Sequence, residues 1–380
     1  MTTPSKRSRS LLAGVAALSL VAAACGSDDD SDTADTAAPA ATEAPDTDTT
    51  EATGELRSVD LALSTTSGFG YGYHIAKNLG FYEDEGLDVS LQGTGGSSDV
   101  AQLLAADNAD GGMGVPGAML PAIEQGAGLY PFFTYAYGEV FDIGVPADSE
   151  AQTVADLAGM TIGVSDLAGG EFPLVLALLS EAGLDPETDV EILAVGADAP
   201  TVVLAFDRGD IDAYSSAKSD IAAMAAVGLD FRSVAPSSLD TLPAEGLLAT
   251  EQTKDDDELL IGLARATAKG QLIAYANEDA AVCVLKEEIP EEFTDEEAGR
   301  AGLTAVIEIT TAPQGDDGDY VFGFLDAAGW NTYVEIFVQG GVLDAAFDMT
   351  PYVIGDLLDE YNDFDQQVII DQANSLPTDC

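Results

Sequence analysis

The chain has 380 residues, enough for two domains of ordinary size beside a leader. Its 68 Asp+Glu against 13 Lys+Arg give a formal net charge of −55, which excludes nucleic acid as a partner and anionic lipid headgroups as a direct docking surface. One histidine and three cysteines leave no material for a histidine-based metal cluster or a histidine-activated nucleophile.

Lys6, Arg7 and Arg9 precede an apolar run from Leu11 to Ala24. A positive start and a short apolar stretch predict an export leader rather than a mature membrane span. The run ends in Val21-Ala22-Ala23-Ala24-Cys25-Gly26. This resembles a bacterial lipobox, in which the cysteine is acylated and becomes the new N-terminus. Ala22 departs from that motif, where leucine is commonest. An ordinary secretory cut near the alanines, with Cys25 incidental, is the competing reading. Residues 26–54 are almost only Asp, Ser, Thr, Ala, Pro and Glu. They predict a disordered, self-repelling tether, and a tether directly behind Cys25 favours the lipid anchor.

The body then alternates strand and helix. Val59–Leu63 reads as a strand, followed by a Gly/Ser-rich loop from Ser64 to Gly72 and a helix over Tyr73–Leu79. Leu87–Leu91 is a strand, Ser97–Ala106 a helix and Gly112–Val115 a strand. The same order restarts with strand Met160–Val164, helix Leu174–Ala182, strand Val190–Val195, a helix capped by Asp198, and strand Ile211–Tyr214. Ala106–Gly112 in the first half answers Phe206–Ala213 in the second: a helix ends in a polar turn and enters a strand through an aspartate. From about Leu248 the chain reads as helical: Asp255–Ala276, a helix capped by Asn277 through Glu288, one opened by a Thr294–Glu297 capping box, then Trp330–Val338 and Pro351–Tyr361. This order predicts an α/β fold of two lobes. Residues 1–25 are the leader and 26–54 the tether. Residues 55–143 begin lobe one, 144–236 form lobe two, and 237–380 complete lobe one. Crossings near Tyr135–Val145 and Phe231–Ser238 would form a hinge.

The run His74 to Val89, with Gly80-Phe81-Tyr82-Glu83 at its centre, resembles the signature of a solute-binding family. That family includes sulfonate-, nitrate- and taurine-binding proteins and binders of thiamine-pyrimidine precursors. Gly95-Gly96-Ser97-Ser98-Asp99, Asp110-Gly111-Gly112, Val154–Gly159 leading into Ile162-Gly163-Val164, Gly183-Leu184-Asp185 and Gly209–Ala213 follow in matching order. The resemblance covers roughly Leu56 to Val234. It implies a type II periplasmic-binding-protein-like fold that closes on a solute, with the helical C-terminal part packed on lobe one. It also implies an ABC permease and ATPase as partners. The expected protein is exported, lipid-anchored and monomeric, with no cofactor.

Ligands of open α/β sheets sit at the carboxyl ends of strands. That points to Thr65, Tyr71 and Tyr73 after the first strand. It points also to Gly96, Ser97 and Ser98, whose N–H groups and hydroxyls suit an anion or polar carbonyl. In the sulfonate- and nitrate-binding relatives, the resemblance implies, this position does that work. Val115 and Pro116 follow the third strand. Gly169, Gly170 and Tyr214 answer from lobe two. Glu171 could accept hydrogen bonds from a ligand amine or amide, but reads foremost as a solvated helix-start residue. Scarce Lys and Arg near these loops favour an aromatic, heterocyclic or neutral polar solute. Cys283 and Cys380 can pair in an oxidising exterior, or remain a buried thiol and a free tail. Two alternatives stay open. One is an enzyme like those forming the thiamine pyrimidine, whose iron, histidine and cysteine chemistry finds only His74 here. The other is a surface sensor without a transporter.

Overall fold

The computed structural model describes residues 55–64 and 67–380. The leader, Cys25, the tether up to residue 54, and Thr65 lie outside the described residues.

Among the described residues, ten strands and thirteen α-helices follow in chain order. The first group is β1 (Arg57–Leu63), α1 (Tyr71–Asn78), α2 (Phe81–Asp84), β2 (Leu87–Gly93), α3 (Ser97–Ala105), β3 (Gly111–Gly114), α4 (Pro116–Glu124) and β4 (Leu129–Ala136). The second is β5 (Phe141–Pro146), β6 (Thr161–Val164), α5 (Glu171–Glu181), β7 (Glu191–Ala194), α6 (Ala199–Arg208), β8 (Ala213–Ala217), α7 (Lys218–Ala226) and β9 (Phe231–Ser233). The third is β10 (Glu245–Thr250), α8 (Asp257–Ala276), α9 (Glu278–Glu288), α10 (Glu296–Thr310), α11 (Ala327–Gln339), α12 (Leu358–Tyr361) and α13 (Gln366–Ser375).

The strands form two five-stranded sheets, ordered β2-β1-β3-β10-β4 and β7-β6-β8-β5-β9. In each, the first three strands are parallel and the fourth runs against its neighbours. The reversed strand is the one that arrives from the other lobe. The chain leaves the first sheet after β4 and enters the second at β5; it returns between β9 and β10. Phe141 already belongs to the second sheet, so a lobe boundary at residue 143 runs through β5.

The internal likeness read from the sequence has a structural counterpart. The Asp110 carboxylate accepts from the backbone N–H of Asp60 at 2.8 Å, and its own N–H donates to the Asp60 carbonyl at 2.9 Å. Asp212 does the same to Thr161, at 2.9 and 2.8 Å. Each aspartate clips the start of its central strand to the neighbour.

Helix starts follow local chemistry. Asp256, Asn277 and Asp295 accept from backbone N–H groups two or three residues on and so cap α8, α9 and α10. Asp295, rather than Thr294, is the cap of α10. The helix expected over Pro351–Tyr361 shrinks to one turn, Leu358–Tyr361, because the Ile354 N–H donates to the Pro131 carbonyl of β4 at 2.9 Å and Gly355 follows it.

The core of lobe one lies between its sheet and α8, where Leu259, Leu263, Leu272 and Ile273 are buried. Each such side chain contributes about 1.5–3 kcal/mol of burial. Helices α8, α9 and α13 sit on lobe one. Helix α10 packs on α7 and α11 on α5, so the C-terminal helices also brace lobe two. Trp330, Tyr333 and Phe337 of α11 share a core with Leu174 and Leu178 of α5. A disulfide joins Cys283 in α9 to Cys380, with Cα atoms 5.6 Å apart. Among the described residues, no helix is long and apolar enough to cross a membrane.

Candidate functional site

A cavity of about 650 Å³ opens between the lobes, in the range that holds one small organic molecule. Its walls are the loops that follow β1, β2 and β3 in one lobe and β6, β7 and β8 in the other. Ser64, Ser67 and Phe69 come from the first loop, Thr94 to Ser97 from the second, and Met113 and Val115 from the third. Lobe two supplies Ser165, Asp166 and Gly169 to Glu171, then Asp198, then Ser216, Asp220 and Met224. Phe141 enters from the first crossing. Glu291 and Glu292 enter from the turn before α10.

Glycines let the two lobes meet. Gly96 has φ of 149°, which side-chain-bearing residues rarely adopt, and a Cβ there would sit 3.3 Å from the Ala168 carbonyl oxygen. A Cβ on Gly117 would lie 2.2 Å from the Gly170 carbonyl oxygen, and one on Gly170 would lie 2.4 Å from a Val115 methyl. The two glycine-rich turns read from the sequence therefore face each other across the gap.

Of the residues expected at the site, Gly96, Ser97, Val115, Gly169 and Gly170 line the cavity. Ser98 and Pro116 adjoin it without forming its wall. Tyr71, Tyr73 and Tyr214 do not reach it. Helix α1 begins at Tyr71 rather than Tyr73, which turns both tyrosines toward α8 and the sheet; both are fully buried. The Tyr71 hydroxyl bonds Thr310 at 2.7 Å, and Tyr73 donates to Glu245 at 3.3 Å and stacks on Tyr135. Tyr214 is buried beside Phe231 and donates to the Gly196 carbonyl at 3.0 Å.

Glu171 is not the solvated residue its sequence context suggests: it is 2% exposed. One carboxylate oxygen accepts from the Ser165 hydroxyl and from the Asp166 backbone N–H at 3.1 Å. The other accepts from no other described residue. Burial pushes the Glu171 carboxyl above its usual range. Asp220 holds the Ser216 hydroxyl at 2.5 Å. Burial, helped by the nearby Glu292 and Glu171 charges and opposed by Ser216, pushes its pKa up to about 6. Glu292 is exposed, yet partial desolvation at the cavity mouth raises its carboxyl against the hydrogen bond it accepts from the Gly68 N–H. Asp220, Glu291 and Glu292 escaped the sequence reading. Asp220 was signalled by its place in the first helical turn after a central strand; the two glutamates come from a distant segment with no such signal. His74 is buried on α1 outside the cavity, and burial lowers its pKa. Among the described residues, no three His, Cys, Asp or Glu side chains converge closely enough to hold a metal ion.

The sequence model of the family described as NMT1/THI5 like matches residues 70–281. Riboflavin-binding protein RibY of Chloroflexus aurantiacus is 25% identical over 304 residues, which is 77% of this chain and 84% of RibY. A solved protein of Bordetella bronchiseptica RB50 superposes with a TM-score of 0.63 at 23% identity, covering 81% of this chain and 98% of its own. The periplasmic aliphatic sulphonate binding protein SsuA of Escherichia coli superposes with a TM-score of 0.60 at 14% identity, over 78% of this chain and 91% of SsuA. The fold is that of the periplasmic binding proteins.

Proposed function

This chain belongs to the NMT1/THI5-like family, and from that premise we propose that it is the extracytoplasmic solute-binding subunit of an ABC importer. The observation that carries this reading is the cavity: it lies between two sheets joined by two crossings, and both lobes build its walls. Such a hinge supports closure over one molecule and presentation of the closed body to a permease. The relatives' names differ in ligand, riboflavin for RibY and sulphonate for SsuA, so they leave the solute open. Gly96, Ser97, Val115, Gly169 and Gly170 are the proposed contacts. Thr65 belongs with them by its place in the loop after β1.

Export through the leader, acylation of Cys25 and a tether up to residue 54 complete the proposal. They would hold the body at the outer face of the membrane. An enzymatic reading draws no support from the cavity, because among the described residues no histidine or cysteine lines it.

Calorimetry and thermal melting of the purified body against a panel of solutes test the assignment. One solute per chain should bind unchanged and raise the Tm by mass action. Turnover of that solute, or failure of every solute to bind, would overturn it. Cys25→Ser should move the protein from the membrane to the soluble fraction.

A further inference from the structure

Resting on the importer reading, we infer that the cavity takes an organic cation, a protonated amine or amidinium on a partly apolar frame, and turns away sulfonate and nitrate.

Six carboxylates line the cavity: Asp166, Glu171, Asp198, Asp220, Glu291 and Glu292. Among the described residues no Lys, Arg or His does. The two undescribed residues of the first loop are threonines and bring no charge. An anion entering this space would meet only like charge.

Helix N-termini are the usual substitute for a cation, but here the chain's own acids occupy them. Asp99 stands in the first turn of α3 and accepts from the Gly95 N–H at 3.1 Å. Glu171 stands in the first turn of α5 and folds back on its own loop. Asp198 caps α6, accepting from Thr201 N–H at 3.2 Å. Asp220 stands in the first turn of α7 and accepts from Ser216. Helices α1 and α4 start without an acid: at α1 the Gly72 N–H is taken by the Tyr135 hydroxyl at 3.0 Å, and the first turn of α4 is pressed against the Gly170 carbonyl.

A second observation points to a ligand rather than to an acidic surface. Glu171 is 98% buried and lines the cavity, its carboxylate accepting from Ser165, from the Asp166 N–H and from its own N–H, with no cation from the described residues paired to it. Ser97, 6% exposed and also in the wall, finds no hydroxyl partner among the described residues. Neither group is among the described side-chain atoms that are fully enclosed without a hydrogen-bond partner, so the free face of each opens on the cavity. A donor-rich cationic head would satisfy both. Phe69, Phe141, Met113 and Met224 supply the apolar part of the wall, and the two rings suit a cation or a flat heterocycle. Since the acids do not cluster in a metal-holding geometry, the charge belongs to an organic group.

The test is calorimetry of the body at low ionic strength with choline, agmatine, spermidine and thiamine, against taurine, MOPS and nitrate. At least one cation should bind. Glu171→Gln should weaken it about tenfold or more, and Asp220→Asn should act in the same direction. Asp207→Asn, which removes the same charge from an exposed position outside the cavity, should leave the affinity unchanged. Unliganded melting of each variant shows whether it folds. Tighter binding of an anion than of any cation overturns the cation assignment and leaves the importer reading standing. So does a cation whose affinity ignores Glu171→Gln. If neither set binds, the cation assignment falls, and the wider solute panel decides the importer reading separately.

Discussion

Gly117→Ala tests whether the lobes part. A Cβ on Gly117 would lie 2.2 Å from the Gly170 carbonyl oxygen and 3.2 Å from its carbon, and its nearest other neighbour is Pro173. All three contacts belong to lobe two, and the closest is backbone that no rotamer change can move. Relief requires the lobes to separate by about 1 Å, and overpacking of this kind costs ~1–3 kcal/mol. Alanine returns at most ~1 kcal/mol of helix propensity, less in a first turn. If the lobes open as a hinge, only the closed form bears the clash. The closed-to-open ratio then falls about 5- to 150-fold. Small-angle scattering of the unliganded protein should show a larger radius of gyration, while the melting temperature stays within about a degree of wild type. An unchanged radius with a melting temperature several degrees lower would mean that the contact persists in every folded state, and the hinge reasoning would be wrong.

Gly270→Ala is expected to destabilise by ~1–3 kcal/mol in urea melts, because its Cβ would sit 2.1 Å from the Gly72 carbonyl where α8 crosses α1; a stabilised variant would show that helix propensity wins there instead. Asp220 protonates near pH 6 in the folded protein against 3.8 in the ordinary case, so the folded state holds the extra proton and this group's contribution to stability is lost as pH rises from about 4 to 6. The stability of Asp220→Asn relative to wild type should therefore grow over that interval by ~1–3 kcal/mol; parallel pH–stability curves would refute the assignment. Reduction of the Cys283–Cys380 bond, or Cys380→Ser, releases a closed loop with a sequence separation of 97 and should cost ~2–5 kcal/mol. A wild-type melt indifferent to reductant would contradict it.

The parallel halves were legible because their signals are local. Val59 and Leu61 are buried on either side of the exposed Asp60, and aspartates, prolines and glycines mark the helix ends between such strands. The reversed strands were not. β4 is buried along nearly its whole length, so it carries no alternation, and β10 joins β3 and β4 only after more than a hundred intervening residues. The tyrosines misled for a related reason. Their place after a Gly/Ser loop suggested the cleft, yet Tyr71 and Ile75 share one helical face that α8 covers. Gly270, which invites a close neighbour, was the one hint of that cover. Glu171 shows the reverse failure: a glutamate in a first helical turn is ordinary on a surface, and only the facing lobe buries it.

The buried carboxylates need an explanation separate from the chain's overall acidity. A net charge of −55 is supported by acids in water, where their mutual repulsion is screened within about 8–10 Å at ordinary salt. Placing more of them on surfaces serves solubility and costs little. Burying one without a cation opposes both solvation and its neighbours. Glu171, which is buried, and Asp220, which is half-buried, show that opposition in their raised proton affinities. The scarce cations are meanwhile spent elsewhere: Arg265 and Lys269 both hold Glu85 on the far side of α8, and Lys218 holds Asp240 at the second crossing. A fold that needed only a stable cleft would have moved one of these inward, or replaced the acids by amides of the same shape. Keeping the acids unpaired makes the empty cleft the less stable arrangement. A positively charged solute would then gain what the fold has forgone, and its presence would shift the balance further toward closure.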